Sequence, residues 1–424
     1  ITYIGYLAFY SLDCVEELYI GNGLKSISKD GLCEFGIGND IRPDIYFEGT
    51  FDELKKIKVA DGNDALYYST IYCWDDEHLG DDITICGLYE NGNYWILEDD
   101  TLYMYGCESY DRNIDYEDGL GHGYTKFNDD ITTVIFDDGS YDMPVCAFQD
   151  LYKLEIVKIP VTMSRVNGAA FFNCTSLKDI YLPGVESIEY SAFWGCTNLR
   201  NIYLSDYLEE IGDYAFNKCS LINLFYPGSS KDWDKVSLAS HTFDGVNGGG
   251  VSYNSKHMIT NIEVGIFQPQ PGEQLLFWGY GGDGYPFAEV SYYDTANSKW
   301  VSGIAQPNTT YMIRVKLTPD DGYKFAPKQY LYAIAVGYHD DPIWYQYPYS
   351  ISEIMDNSLF MYFTYKTPKA TSQLQLNTNK LFVMAGKTDT LKSTTSGLTV
   401  TSWKSSDEKI ATVSNGTVKG IKAG

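Results

Sequence analysis

Residues 166–183 read VNGAAFFNCTSLKDIYLP and residues 188–205 read IEYSAFWGCTNLRNIYLS. Both carry Ala-Phe, then Cys, then Leu, then an Ile-Tyr-Leu tail. Two further stretches fit the same frame: MPVCAFQDLYKLEIVKIP (143–160) and IGDYAFNKCSLINLFYP (211–227). The alanines at 147, 170, 192 and 215 recur every 22–23 residues. A fifth copy, IGYLAFYSLDCVEELYI, runs from Ile4 to Ile20 with Ala8-Phe9 in the same place.

A period of this length with a short alternating tail predicts a leucine-rich-repeat solenoid. The tails, Ile180-Tyr181-Leu182 and Ile202-Tyr203-Leu204, read as short strands. They would stack as a right-handed coil with one parallel sheet, at a spacing of about 4.8 Å. Alanine lets the backbone approach closely and phenylalanine fills the core. Cys174, Cys196 and Cys219 share a repeat slot that Leu12 and Leu151 fill elsewhere. A slot that takes either residue is an apolar core slot, since a free cysteine behaves as a small buried hydrophobe. In 188–205 the inward set is then Ile188, Ala192, Phe193, Cys196, Leu199, Ile202 and Leu204.

FEGTFDELKKIKV (47–59) aligns without gaps on YPGSSKDWDKVSL (226–238), and each follows a repeat strand. Each reads as a Ser/Thr-capped helical turn that closes a solenoid block. Two blocks result, 1–78 and 129–258. Between them, 79–128 reads as a β-hairpin insertion, with strands through Trp95 and Leu97 and through Leu102 and Met104, and a turn at Asp99-Asp100. Beyond Gly248–Gly250 the repeat is lost. Residues 259–368 show strand patterns near 261–267, 287–293, 311–317 and 330–338, which predict a β-sandwich module. Residues 369–424 form a last module. The fold class is thus mainly β and multidomain: a solenoid followed by β-sandwich modules.

The pattern I-x3-A-F-x2-C-x2-L-x2-I-x-L-P resembles the BspA-type leucine-rich repeat of bacterial surface proteins. Hairpins like the one at 79–128 occur between solenoid blocks in such proteins. ITNIEVGI and NTTYMIRVKLTPDDGYKF look like modules of surface proteins from Gram-positive gut bacteria. The last module resembles the group 2 bacterial immunoglobulin-like domain. That resemblance rests on Gly386, Leu391, Val400, Trp403, Ser405-Ser406-Asp407, Ile410-Ala411, Val413, Gly416, Val418, Gly420 and Gly424. The family's final strand would follow the closing Ala-Gly, so a truncated domain is expected. Together these resemblances imply a secreted or surface-displayed binding scaffold rather than a catalyst.

Composition agrees. The formal net charge of −26 repels phosphate backbones, so no nucleic-acid partner is expected. No run of about 18 apolar residues is present to span a membrane. An export signal is expected upstream of the opening ITYIGYLAFY, which already lies inside the repeat. The location implied is extracellular or on the bacterial cell surface, and a monomer is expected. Nine cysteines, an odd number, include no CxxC pair, so a zinc ribbon is unsupported. The histidines (His78, His122, His241, His257, His339) are scattered. The acidic doublets match no EF-hand spacing and read as turns. No cofactor, metal site or catalytic residue is predicted.

The aromatic residues are the functional lead. The outward position of each rung is Tyr19, Tyr46, Lys158, Tyr181, Tyr203 or Phe225. Tyr181, Tyr203 and Phe225 should form a ladder on an open face, with Asp179, Asn201 and Asn223 beside it and Tyr19 in the equivalent place of the first block. Stacked rings stabilise a sheet by themselves, and they also grip sugars or protein partners. The function expected is non-catalytic binding or adhesion to a host or bacterial surface protein, matrix or glycan. The alternative is the carbohydrate-binding or targeting portion of a larger secreted enzyme.

Overall fold

The computed structural model describes residues 1–10, 12, 15–33, 43–74, 83–89, 92–107, 123–220, 222–282, 284–338, 345–346, 349–355, 357–368, 383–392, 404–405 and 407–421. In the second block each repeat contributes two short strands to two parallel sheets. Asp179–Tyr181, Asn201–Tyr203, Ile222–Phe225 and Gly249–Ser252 form the rung sheet. Arg165–Val166, Ser187–Ile188, Glu210–Ile211 and Ser237–Leu238 form the return sheet. The whole inward set of 188–205 is buried. Phenylalanines of successive repeats stack into a column, Phe148, Phe171, Phe193, Phe216 and Phe243, with centroids 5.2–5.8 Å apart. The turn before each buried alanine is tight enough to need a positive φ at Cys146, Ala169, Ser191 and Tyr214. Leu151 fills its slot in the core, whereas Leu12 is 44% exposed, so the core reading of that slot fails in the first repeat.

The two blocks share one continuous eight-stranded sheet. Glu17–Gly21, Asp44–Glu48 and Ile71–Trp74 run parallel. Thr84–Leu88, Tyr94–Glu98 and Thr101–Tyr105 follow by three antiparallel steps. Thr133–Phe136 and Ile156–Lys158 then resume parallel pairing. Three reversals leave the second block's strands running opposite to the first block's. A coil of one hand that keeps advancing along the sheet, with its strands reversed, must lie on the other face. The side chains obey this. Ile45, Ile71 and Cys86 are in register and fill the first block's core. The neighbouring row, Leu97, Leu102, Val134 and Val157, fills the second block's core. Successive strand residues point to opposite faces, so the core changes sides. Thr84–Leu88 serves both: Cys86 belongs to one core and Ile85 packs against the other.

The paired helical turns are Phe51–Leu54 and Ser230–Trp233, each with a complete capping box. Thr50 caps with Glu53, and Ser229 caps with Asp232. They do not close the blocks. A return strand (Lys58–Val59, Ser237–Leu238) and a further rung (Ile71–Trp74, Gly249–Ser252) follow each one. Each turn lies inside an enlarged repeat, and its capped end turns the chain back toward the return sheet.

Asn261–Phe267, Trp278–Tyr280, Phe287–Asp294, Thr310–Leu317, Tyr332–Tyr338, Tyr349–Met355 and Ser358–Lys366 belong to one mixed nine-stranded sheet. The sequence of 259–368 predicts a β-sandwich, and the structure joins its strands through hydrogen bonding into this one sheet. Asn261–Phe267 pairs in parallel with Tyr332–Tyr338 and joins Trp278–Tyr280 through one registered pair, Gly265 and Tyr280. Val264 and Ile266 share a single core with Val290, Ile313, Val315 and Met361. A small parallel pair, His257–Ile259 with Tyr323–Phe325, lies beside the repeat coil. In the last module, Thr388–Thr390, Ala411–Ser414 and Thr417–Gly420 form an antiparallel sheet. Asn415 and Gly416 both have positive φ in its hairpin turn. Val400, Trp403, Ser406 and Gly424 of the immunoglobulin-like pattern lie outside the described residues, as do His78, His122 and His339.

Candidate binding faces

The second-block ladder forms because its rungs are in register. Tyr181 and Tyr203 stack 4.4 Å apart and 2° from parallel, and Tyr203 and Phe225 stack 4.7 Å apart. The polar row beside them is engaged with itself. Asn201 Nδ2 donates to Asp179 Oδ1 at 2.7 Å, and Asn223 Nδ2 donates to Asn201 Oδ1 at 3.0 Å.

This face is not open along its whole length. Tyr330, on the turn Lys328–Tyr330, lies 4.6 Å from the Tyr181 ring, and Tyr181 is only 4% exposed. Tyr181 belongs to the apolar core of the C-terminal sheet module, with Tyr203 packed at its margin. A row of flat rings presents apolar area, and here the chain's own next module covers it. Burial pushes the phenols of Tyr181 and Tyr203 above their ordinary value and that of Tyr330 up to about 12. Beside this contact the ladder, Tyr181, Tyr203 and Phe225, lines one side of a cleft.

The first-block ladder is open at its Tyr19 end, while Tyr46 and Tyr72 are half-buried. Tyr19 and Tyr46 stack 4.7 Å apart, and Tyr46 and Tyr72 stack 4.9 Å apart. Tyr19 is 66% exposed. Trp74 tilts against Tyr46 at 6.3 Å. Glu17, Asp44 and Glu48 occupy the same face, two residues from the rings along the strands. The Tyr19 hydroxyl donates to Glu17 Oε2 at 3.0 Å, and this bond is the chief cause that raises the phenol's pKa. The second coil lies on this side of the sheet, so its entry turn Gly123–Phe127 reaches the end of the ladder. Lys126 Nζ sits 4.8 Å over the Tyr72 ring, donates to the Tyr72 hydroxyl at 2.6 Å and pairs with Asp44. Tyr72 and Trp74 escaped the sequence reading because their strand has no Ala-Phe upstream. The Ile-Tyr at 71–72, identical to Ile180-Tyr181, was the available signal.

The repeat cysteines are structural. Cys174, Cys196 and Cys219 each donate a thiol hydrogen to the carbonyl of the phenylalanine one repeat earlier: Phe148, Phe171 and Phe193, at 3.0–3.2 Å. Burial pushes the Cys219 thiol up to about 12 and raises those of Cys174 and Cys196 as well. A thiol held protonated is neither nucleophile nor metal ligand. Among the described residues no group of three or more His, Cys, Asp or Glu is placed to hold a metal ion. No helix among them is long and apolar enough to cross a membrane.

Residues 124–243 match the BspA type leucine-rich repeat region, in six copies. No curated protein matches the chain. Among solved structures, a leucine-rich cell surface protein from Faecalibacterium prausnitzii A2-165 is similar at 18% identity and a TM-score of 0.34, over 55% of this chain and 65% of that one. A leucine-rich repeat protein from Bacteroides ovatus is similar at 18% identity and a TM-score of 0.24, over 60% of this chain and 45% of that one. The chain therefore spans less than two thirds of either. The pneumococcal vaccine antigen PcpA is similar at 14% identity and a TM-score of 0.27, over 56% of this chain and 68% of that one.

Proposed function

We propose that this is a non-catalytic binding or adhesion protein, exported to the bacterial cell surface or beyond, whose repeat scaffold presents an aromatic stripe to a surface protein or glycan. The observation that carries this reading is the Tyr19–Tyr46–Tyr72 stack, open at its Tyr19 end. Rigid aromatic faces give large contact area with little conformational entropy to lose, which is why such residues dominate binding hot spots. The stripe has a counterpart in the second block that already does this, since Tyr181 packs against the C-terminal module. The same ladder is thus suited to contact in either block, and the Tyr19 end of the first block's copy is exposed to a partner.

The test is an array of host proteins, matrix proteins and glycans probed with the purified chain and with Tyr46→Ala. Binding that falls at least tenfold in the variant, with the unfolding midpoint kept within a few degrees, supports the reading. Binding unchanged in Tyr46→Ala would assign the stripe a purely structural role.

A further inference from the structure

The second cleft worth a chemical reading lies where the repeat coil meets the C-terminal sheet module. It has a volume of about 770 Å³, within the range of roughly 300–1,000 Å³ usual for small-ligand sites, which favour such junctions. Its floor is the uncovered end of the aromatic column, Tyr203 and Phe225, two nearly parallel rings 4.7 Å apart. Its rim carries Ser255 and Lys256 from the segment leaving the coil, and Lys324 and Asn357 from the sheet module.

Two features give this cleft a chemical preference. Among the described residues no carboxylate lines it, although the chain as a whole has a net charge of −26. Lys256 and Lys324 are exposed and form no salt bridge among the described residues. Acidic groups are sorted elsewhere. A neighbouring cleft of about 700 Å³, along the same segment, is lined by Asp138, Asp206 and Glu263.

We infer that the junction cleft binds an acidic saccharide, a carboxylate- or sulfate-bearing sugar. The edges of the two stacked rings offer an apolar floor for the C–H groups of a pyranose. The ammonium groups supply charge-assisted hydrogen bonds to the anionic substituent. The exposed Asn357 amide matches a sugar hydroxyl. A neutral sugar would use the floor and leave both lysines without a partner. The inference does not depend on the Tyr19 stripe, which lies in the other block.

Calorimetric titration of the full chain with a tetragalacturonate, a heparin-derived tetrasaccharide and cellotetraose tests it. The first two separate the carboxylate source from the sulfate source, and the third is the neutral control. At least one acidic ligand should bind at least tenfold more tightly than cellotetraose, and its affinity should fall as salt rises. The double variant Lys256→Glu/Lys324→Glu should lose at least tenfold in affinity. Both lysines are exposed, so its unfolding midpoint should not move. Tyr46→Ala should titrate like the parent, which keeps failure here distinct from failure of the stripe. The inference is overturned if neither acidic ligand binds, if cellotetraose binds equally well, or if the double variant keeps full affinity.

Discussion

The rings of Tyr181 and Tyr330 meet 4.6 Å apart, joining the repeat coil to the C-terminal sheet module. Both side chains are buried there. Removing a large buried aromatic costs about 3 kcal/mol or more, through lost transfer energy and the cavity left behind. Tyr330→Ala should therefore uncouple the module. Differential scanning calorimetry should show its transition move below that of the coil, which keeps its own midpoint. A single unshifted transition would mean that other contacts hold the junction.

Gly87, in the shared sheet, has no room for a side chain. A Cβ built there would come within 2.2 Å of the Trp95 indole nitrogen. Trp95 is fully buried in the second block's core, so its ring has no space to retreat. Overpacking of this kind costs about 1–3 kcal/mol. Gly87→Ala should lower the denaturation midpoint accordingly and alter the tryptophan emission. An unchanged midpoint would show that the indole shifts without penalty.

Cys107, Cys174, Cys196 and Cys219 are buried with thiol pKa values raised by desolvation, those of Cys107 and Cys219 to about 12. The folded protein should resist iodoacetamide at these four positions at pH 8. Guanidinium should expose all four to alkylation, as read by peptide mass spectrometry. Rapid native modification of Cys196 would contradict the core assignment.

Asp142 is buried next to Arg165, with Nε 4.0 Å from its carboxylate. Burial raises its pKa, and the arginine only partly offsets this. Below the ordinary carboxylate value near 4 the group is neutral in both folded and unfolded chains. As pH rises past that value the unfolded chain ionises first, so stability is lost until the raised value is passed. Asp142→Asn should raise the melting midpoint at pH 7 relative to the parent, and the difference should vanish near pH 3. A variant less stable at pH 7 would mean that the Arg165 contact outweighs burial.

How far the sequence reveals the molecule depends on what repeats. Phe171, Cys174 and Ile180 recur in Phe193, Cys196 and Ile202, so the coil and its inward set are readable. The thiol donation from Cys196 to the Phe171 carbonyl is not readable, because a slot shared by leucine and cysteine signals only size and polarity. Period-two alternation marks which residues share a face. It does not say which face is inside, so the change of sides at Thr84–Leu88 stays hidden. Apolar Ile85, Cys86 and Leu88 on both faces of that strand were its one trace. The cover over Tyr181 is equally silent, since an outward tyrosine reads the same whether solvent or a neighbouring module meets it.

The reversal at Thr84–Leu88 gives the molecule two fronts. The Tyr19 stripe looks out on the side where the second coil lies. The Tyr203 cleft looks out on the side where the first coil lies. A partner on one and a saccharide in the other would sit across the sheet without crowding each other. On the two proposals together, both ligands would be held at once on opposite faces, and the sheet between the two sites would set the distance separating them.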